Sequence, residues 1–332
     1  QAVPFELEIL VASDGSIDAT AAIVERLSGE DPRLRLLDLP ATGTASAQNA
    51  IFEAAAGQIV VLTDAETRFA PGCLDALVAP FTDARVGGTT GRLALEFDED
   101  TAAAHHEGLY WRYELLVRRL ESRAGWLATS TGAVLAVRRS SYRRVASHAP
   151  MDQLMPLHVR DQGLRMLTID EARAFDRGWT DLPDQFASRA RIATRGIGAN
   201  LSMATRLTPW RRPSAFLAIW SHKLLRWATP WLGAAAFAAA LRLSVQGRRA
   251  YLVPVVAGVA TWSMAAIGYA ADSLGRPIRA LALPLTFVTV NLAFVAGWVN
   301  LLRRRRIRSW SHPTPASAPI VEPPTDRAET EA

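Results

Sequence analysis

Gly57-Gln58-Ile59-Val60-Val61-Leu62-Thr63-Asp64-Ala65-Glu66-Thr67 decides how the rest of this 332-residue chain is read. An apolar run of four, opened by a glycine and closed by carboxylates two residues apart, predicts a buried parallel strand that delivers an acidic pair to its carboxyl end. Open α/β sheets bind ligands at that end. On an extended segment Asp64 and Glu66 leave the same face. Both can then reach one hard divalent cation, Mg2+ or Mn2+, which in turn bridges the phosphates of a nucleotide. The competing reading is an acidic turn that merely ends a strand, since Asp-x-Glu alone is a weak motif.

Upstream, Leu7 to Ala12 predicts a strand, Ser13-Asp14-Gly15-Ser16-Ile17-Asp18 a turn, and Ala19 to Leu27 a helix. Asp14 therefore sits at a strand end, where its carboxylate either accepts hydrogen bonds from a nucleoside or caps the next helix. Arg33 to Leu39 predicts a second strand, and Thr42 to Asn49 leads into an alanine-rich helix ending near Ala56. Downstream come a helix from Pro71 to Phe81, a glycine-rich strand over Val86 to Leu93, and a helix over Glu107 to Glu121 with Tyr110, Trp111, Leu115 and Leu116 on its apolar face. Thr131-Gly132-Ala133 opens a further strand whose small residues let a sugar or backbone approach closely. Met151-Asp152-Gln153 precedes a helix through Gln162, and Arg165 to Ile169 is a short strand. This alternation predicts an α/β fold with a mostly parallel sheet.

The formal charge of +5 is unevenly placed. Arginine dominates after about residue 185, where long apolar runs begin, so a membrane surface accounts for the excess and nucleic acid does not. A single cysteine, Cys73, excludes an internal disulfide framework.

Ser-Asp-Gly-Ser-x-Asp at 13 to 18, Gly43 and Asn49, Thr63-Asp64-Ala65-Glu66-Thr67, and Glu107-Gly108-Leu109-Tyr110-Trp111-Arg112-Tyr113-Glu114 together resemble a processive-type family 2 glycosyltransferase with a GT-A fold, over about residues 5 to 200. The likeness is to the membrane-bound cellulose and hyaluronan synthase-like subgroup, with the family's first strand absent. It implies transfer of a sugar from a nucleotide diphosphate to an acceptor hydroxyl, with inversion. By position it implies that Asp14, Gly43 and Asn49 contact the nucleotide donor and that Asp64 and Glu66 hold the metal on the diphosphate. Thr131, Gly132 and Ala133 would line the acceptor or donor sugar, and Asp152 would be the general base. Without the likeness Asp152 reads as a helix cap. Asp184 to Arg191 is similar to the family's glutamine-and-arginine segment, which makes Arg189 and Arg191 candidates for the diphosphate; a solvated basic helix facing lipid headgroups is the alternative. Three positions depart from the family pattern: Thr44 replaces a lysine, Met151 an acidic residue, and the segment near Ser188 lacks its tryptophan.

Four regions follow: a catalytic domain over 1–205, an amphipathic interfacial segment over 206–228, transmembrane or re-entrant helices over 229–302, and a basic then disordered tail over 303–332. Ala250 to Ala271 and Ala280 to Leu302 carry no charge, and Trp227 to Leu241 is followed by Arg242. Three full crossings would carry the arginines after Leu302 away from the catalytic domain, against the positive-inside rule, so an even number is expected. The sum is a membrane enzyme at the cytoplasmic face that extends a cell-envelope or lipid-linked glycan, in contact with membrane lipids. A polyprenyl-phosphate glycosyltransferase, a nucleotidyltransferase and a degenerate sugar-nucleotide-binding protein are the other readings.

Overall fold

The computed structural model describes residues 3–96, 102–127, 129–177 and 182–305. The tail past Trp310 lies outside them, as do the side chains of Tyr110, Trp111, Arg112, Asp184 and Gln185.

The amino-terminal third alternates strand and helix: β1 (Ile9–Asp14), α1 (Thr20–Glu30), β2 (Leu34–Leu39), α2 (Thr44–Ala54) and β3 (Ile59–Leu62). After it come β4 (Arg68–Phe69), α3 (Cys73–Val78), β5 (Val86–Glu96), α4 (Ala102–Arg123), β6 (Leu135–Arg138), α5 (Met151–Asp161) and β7 (Arg165–Arg177). β1 and β2 form a parallel pair, and the remaining strands form a five-stranded sheet in the order β3-β6-β5-β7-β4. The sheet is mixed where a mostly parallel one was expected. β5 and β7 run parallel, but β6 enters between β3 and β5 antiparallel to both, and the short β4 runs antiparallel to β7. β3 is consequently an edge strand of this sheet, paired antiparallel to β6.

Alternation along β6 builds the core on both faces. Leu135 and Val137 point into one cluster with Phe52, Leu62, Met155 and Ile197. Ala136 points into the other with Leu77, Phe81 and Ala174.

The first cluster does not stop at the layers around the sheet. It continues through α6 (Leu182–Ala204) to Trp227 and to Phe294 of α11 (Ala282–Leu302), so one core joins the sheet to the apolar carboxyl-terminal helices. Between them run α7 (Pro213–Ala218), a π-helical turn Ile219–Leu224, α8 (Leu225–Trp227), α9 (Thr229–Val245) and α10 (Leu252–Ser273). Among the described residues two helical stretches, Arg249–Ser273 and Arg279–Leu302, are long and apolar enough to cross a bilayer. Pro213–Trp227 and Thr229–Val245, bent by 62°, would make a third if they are one broken span.

The segment over Pro213–Trp227 is amphipathic, but with its polar side inward. Leu217, Trp220 and Leu225 are exposed, whereas His222 and Lys223 are buried. The carboxyl half of α11 lies on α6. Gly297 faces Ala193 so closely that a Cβ on the glycine would stand 2.7 Å from the alanine's, and Asn300 Nδ2 donates to Thr194 Oγ1 at 3.3 Å. Trp298 Nε1 donates to the Trp227 carbonyl at 2.9 Å, which ties α11 to the bend after α8.

Where β5 crosses the loop before β6, Gly91 leaves no room for a side chain. A Cβ there would sit 2.5 Å from the Ala172 carbonyl oxygen and closer still to Val134. Gly91→Ala is expected to cost about 1–3 kcal/mol through this overpacking; an unshifted unfolding midpoint in detergent solution would show that the strands give way without cost.

Candidate active site

Asp64 and Glu66 lie past the end of β3 in a turn closed by a hydrogen bond from the Thr67 amide to the Asp64 carbonyl at 3.2 Å. The extended geometry expected for the pair is absent, because the strand ends at Leu62 and the chain must reverse to reach β4. The two carboxylates are nevertheless electrostatic neighbours. Asp64, crowded by protein although its surface reaches solvent, is pushed up to about 6 by desolvation first, then by the charges of Asp176, Glu66 and Asp152. Four acids from three places in the sequence thus meet at one end of the sheet.

Asp176 was not anticipated. The strand expected to end at Ile169 runs on to Arg177, and Asp176 follows Ala172 and Ala174 on the side that faces the core. The small residues at alternate positions were the available signal.

Asp152 occupies the first turn of α5, with Pro150 at the N-cap and no side-chain capping bond. It is not the cap that an isolated reading makes it. Ser130 Oγ donates to its backbone carbonyl at 2.5 Å, and a Cβ on Gly132 would lie 3.4 Å from its own Cβ. The next residue, Gln153, accepts a hydrogen bond from Asn200 Nδ2 at 3.0 Å, which locks α5 onto α6. Burial raises the Asp152 carboxyl above the usual carboxylate range, against the pull of Arg195, Lys223 and Arg118.

Of the loop expected to line the sugar, Thr131 and Gly132 stand beside Asp152's helix, while Ala133 is 3% exposed and packs into the core beneath. The Thr131 amide donates to Thr90 Oγ1 at 3.1 Å, and its hydroxyl is held by Arg118 Nη1.

The donor-side candidates divide. The Asp14 carboxylate accepts from the Thr42 amide at 2.8 Å and the Gly43 amide at 3.0 Å, so it braces the loop entering α2 rather than capping α1. Gly43, at φ 102, supplies the left-handed conformation that this loop requires. Asn49 is buried, and both ends of its amide are engaged: Nδ2 donates to the Val145 carbonyl, and Oδ1 accepts from Tyr142 Oη and the Val145 amide. These bonds hold α2 to the segment leading to α5.

Arg189 and Arg191 stand on α6, where Arg191 Nη2 contacts Ser188 Oγ at 3.2 Å. One turn on, Arg195 links them to the base candidate. Its Nε and Nη2 donate to the carbonyls of His148 and Ala149 at 3.2 and 3.1 Å, and its charge acts on Asp152 and on Arg191. The i, i+4 spacing of Arg191 and Arg195 was legible in the sequence.

Comparison with known proteins accords with this geometry. The glycosyl transferase family 2 model matches residues 4–146. The chain carries a glycosyl transferase family 2 domain. Over 76 residues the chain is 32% identical to a chondroitin synthase of Pasteurella multocida, covering 23% of this chain and 8% of that protein. It is 29% identical over 140 residues to an N-acetylglucosaminyltransferase of Mesorhizobium japonicum, 41% of this chain and 33% of that one. The chain therefore spans at most a third of the length of these curated relatives. A solved mannosyltransferase from Pyrobaculum calidifontis, in complex with GDP-Man and Mn2+, superposes with a TM-score of 0.60 at 21% identity, over 90% of this chain and 79% of that one. The fold is GT-A.

In this family 2 domain the donor chemistry suits a divalent cation. Among the described residues no three acidic, histidine or cysteine side chains converge tightly enough to enclose a metal alone. Mg2+ and Mn2+ need no such cage, since one or two carboxylates with phosphate and water oxygens complete their shell. The repulsion that raises Asp64 is the charge imbalance a cation would relieve.

A second ionic centre lies behind the site. Glu114 of α4, 2% exposed, is 3.1 Å from Arg118 Nη2, 3.2 Å from Lys223 Nζ, 2.8 Å from Arg226 Nη1 and 3.1 Å from His222 Nε2. His222 Nδ1 is also 2.7 Å from Glu121. Burial works against the Glu114 charge, but Lys223, Arg118, His222 and Arg226 outweigh it and hold the carboxyl well below its ordinary range. The inward face of the Pro213–Trp227 segment is thereby explained, because its cations answer a buried carboxylate.

Two outcomes follow. Divalent-cation affinity, read by Mn2+ electron paramagnetic resonance, should weaken about tenfold per pH unit below about 6 as Asp64 takes up its proton; a flat response, or the same response in Asp64→Asn, would remove Asp64 from the metal. Glu114→Ala should destabilise the protein by about 3–5 kcal/mol, because it leaves buried cations uncompensated; a denaturant midpoint like the parent's would mean the cations find water.

Proposed function

We propose that the chain is a membrane-bound inverting glycosyltransferase. It passes a sugar from a nucleotide-diphosphate donor to an acceptor hydroxyl of a cell-envelope or lipid-linked glycan at the cytoplasmic face. The observation that carries the reading is the placement of Asp152: half-buried and closely surrounded by protein, uncommitted to capping, beside the Thr131-Gly132 loop and within electrostatic reach of Asp64.

In this reading Asp152 accepts the proton of the acceptor hydroxyl as that oxygen attacks the anomeric carbon, from the side opposite the departing diphosphate. Its burial makes the carboxylate a stronger base than an exposed one, and Arg195 keeps enough positive charge nearby for it to ionise. Arg189 and Arg191 provide guanidinium groups for the diphosphate oxygens. Asp64 and Glu66 would hold Mg2+ or Mn2+, which supplies charge neutralisation for the leaving phosphate. Asp14, Gly43 and Asn49 shape the donor side through the loop and helix they brace.

The membrane reading rests on the exposed apolar surfaces of α9 and α10 and on the outward Leu217, Trp220 and Leu225. Arg304 and Arg305, at the end of α11, share a cavity with His148 and Arg195 of the catalytic layers. This position supports a topology in which the basic run and the active site lie on one side, the even count of crossings that the positive-inside rule favours.

Asp152→Asn is expected to reduce transfer by about 10²–10⁴-fold while donor binding persists. In the parent, transfer should rise with pH along a limb displaced above the ordinary carboxylate range, and that limb should vanish in the variant. Nucleoside diphosphate release in membranes, with donor and acceptor varied, reads both; transfer near the parental rate would displace Asp152 as the base.

A further inference from the structure

The end of α11 is built in an unusual way. The Arg304 amide donates to the Leu301 carbonyl and the Arg305 amide to the Asn300 carbonyl, each at 2.9 to 3.0 Å, the paired bonds of a Schellman cap. Such a cap puts one residue in the left-handed region, a position glycine fills at least cost. Here it is Arg304, at φ 53, and among the described residues no other non-glycine has a positive φ. Strain kept at one position and supported by the surrounding fold is a reason to ask what the side chain does.

Arg304 and Arg305 both line a cavity of about 460 Å³ between α11, α6 and the loop before α5. Its other polar contributors are His148, Thr194, Arg195 and Ser202, and no acid is among its lining residues. The Thr194 and Ser202 hydroxyls already donate to backbone carbonyls of α6, and the guanidinium groups of Arg195, Arg304 and Arg305 bring the permanent charge of the lining. Arg195 spends two of its N–H groups on the loop carbonyls, which fixes its fork and leaves others to donate. Ala146, Leu154, Ala199 and Leu301 complete the lining with apolar surface.

We infer that this cavity is a binding site for a phosphate group, separate from the donor diphosphate site at Asp64, with Arg304 and Arg305 as its principal ligands. Guanidinium groups converge on phosphate with strong, directional hydrogen bonds. The apolar part of the lining, and the position of the cavity at the end of an apolar helix, point to a phosphate carried on a lipid headgroup; free phosphate has the same chemistry. Only this choice of source uses the membrane reading above. The phosphate site itself does not depend on the transfer reaction.

The test uses the full chain in detergent micelles, titrated by calorimetry with phosphatidic acid and, separately, with inorganic phosphate. Arg304→Gly relieves the backbone strain while removing the guanidinium, so it should unfold no lower than the parent yet bind phosphatidic acid about tenfold or more weakly. Arg303→Ala, one residue away and outside the cavity lining, should bind as the parent does. Selective loss in Arg304→Gly establishes the site; saturable binding of inorganic phosphate with the same dependence assigns it to a soluble phosphate, and its absence assigns it to the lipid. Equal binding in Arg304→Gly and the parent overturns the proposal. So does an equal loss in Arg303→Ala, which would be general charge attraction, or a loss that follows Asp64→Ala instead, which would place the phosphate at the donor site.

Discussion

A carboxylate buried as deeply as Glu114 persists only where cations reach it, and no single element of this fold supplies enough of them. Arg118 comes from the same helix, while His222, Lys223 and Arg226 come from a segment about a hundred residues later. Satisfying one charge therefore fixes the aromatic helix against the segment that turns toward α9. The same Arg118 reaches Thr131 in the loop beside Asp152. The position of the loop beside Asp152 and the attitude of the apolar helices are thus two ends of one ionic assembly.

The active end of the sheet is organised by the opposite imbalance. Glu66, Asp152 and Asp176 all act on Asp64, whose crowding by protein adds to their effect, and desolvation raises Asp152 as well. Carboxylates gathered around Asp64 suit a hard divalent cation, which needs only one or two of them beside phosphate and water oxygens. Two of the residues expected to touch a nucleotide also brace the backbone around them: Asp14 holds the loop into α2, and Asn49 holds α2 to the segment before α5.

Most element positions were legible, because local periodicity and capping residues mark them. α5 and α11 fall almost where the apolar spacing places them. Strand direction was not legible. The insertion of β6 antiparallel between β3 and β5 is a consequence of long-range pairing, and nothing within Leu135 to Arg138 encodes which neighbours it will meet. The carboxylate pair illustrates the same limit. Asp64 and Glu66 are electrostatic neighbours as expected, but through a turn instead of a strand face. The segment within 206–228 reads as an amphipathic interfacial one because the counter-charge of its His222, Lys223 and Arg226, Glu114, lies far away in sequence. Asp176 and Arg195 entered the site through a strand and a helix that placed them there, each carrying a periodic signal too weak to stand without the neighbours it meets.

The contact of Gly297 with Ala193 has a mechanical consequence. Where two helices meet with so little side chain between them, neither can roll or slide without moving the other, so α6 and the end of α11 behave as one stiff beam. Arg195 is mounted on that beam one turn from Gly198, against which Leu301 rests. A tilt of α11 would therefore be carried to Arg195, whose charge acts on Asp152, so that wherever α11 spans a bilayer the lipid gains a mechanical hold on the carboxylate proposed as the base.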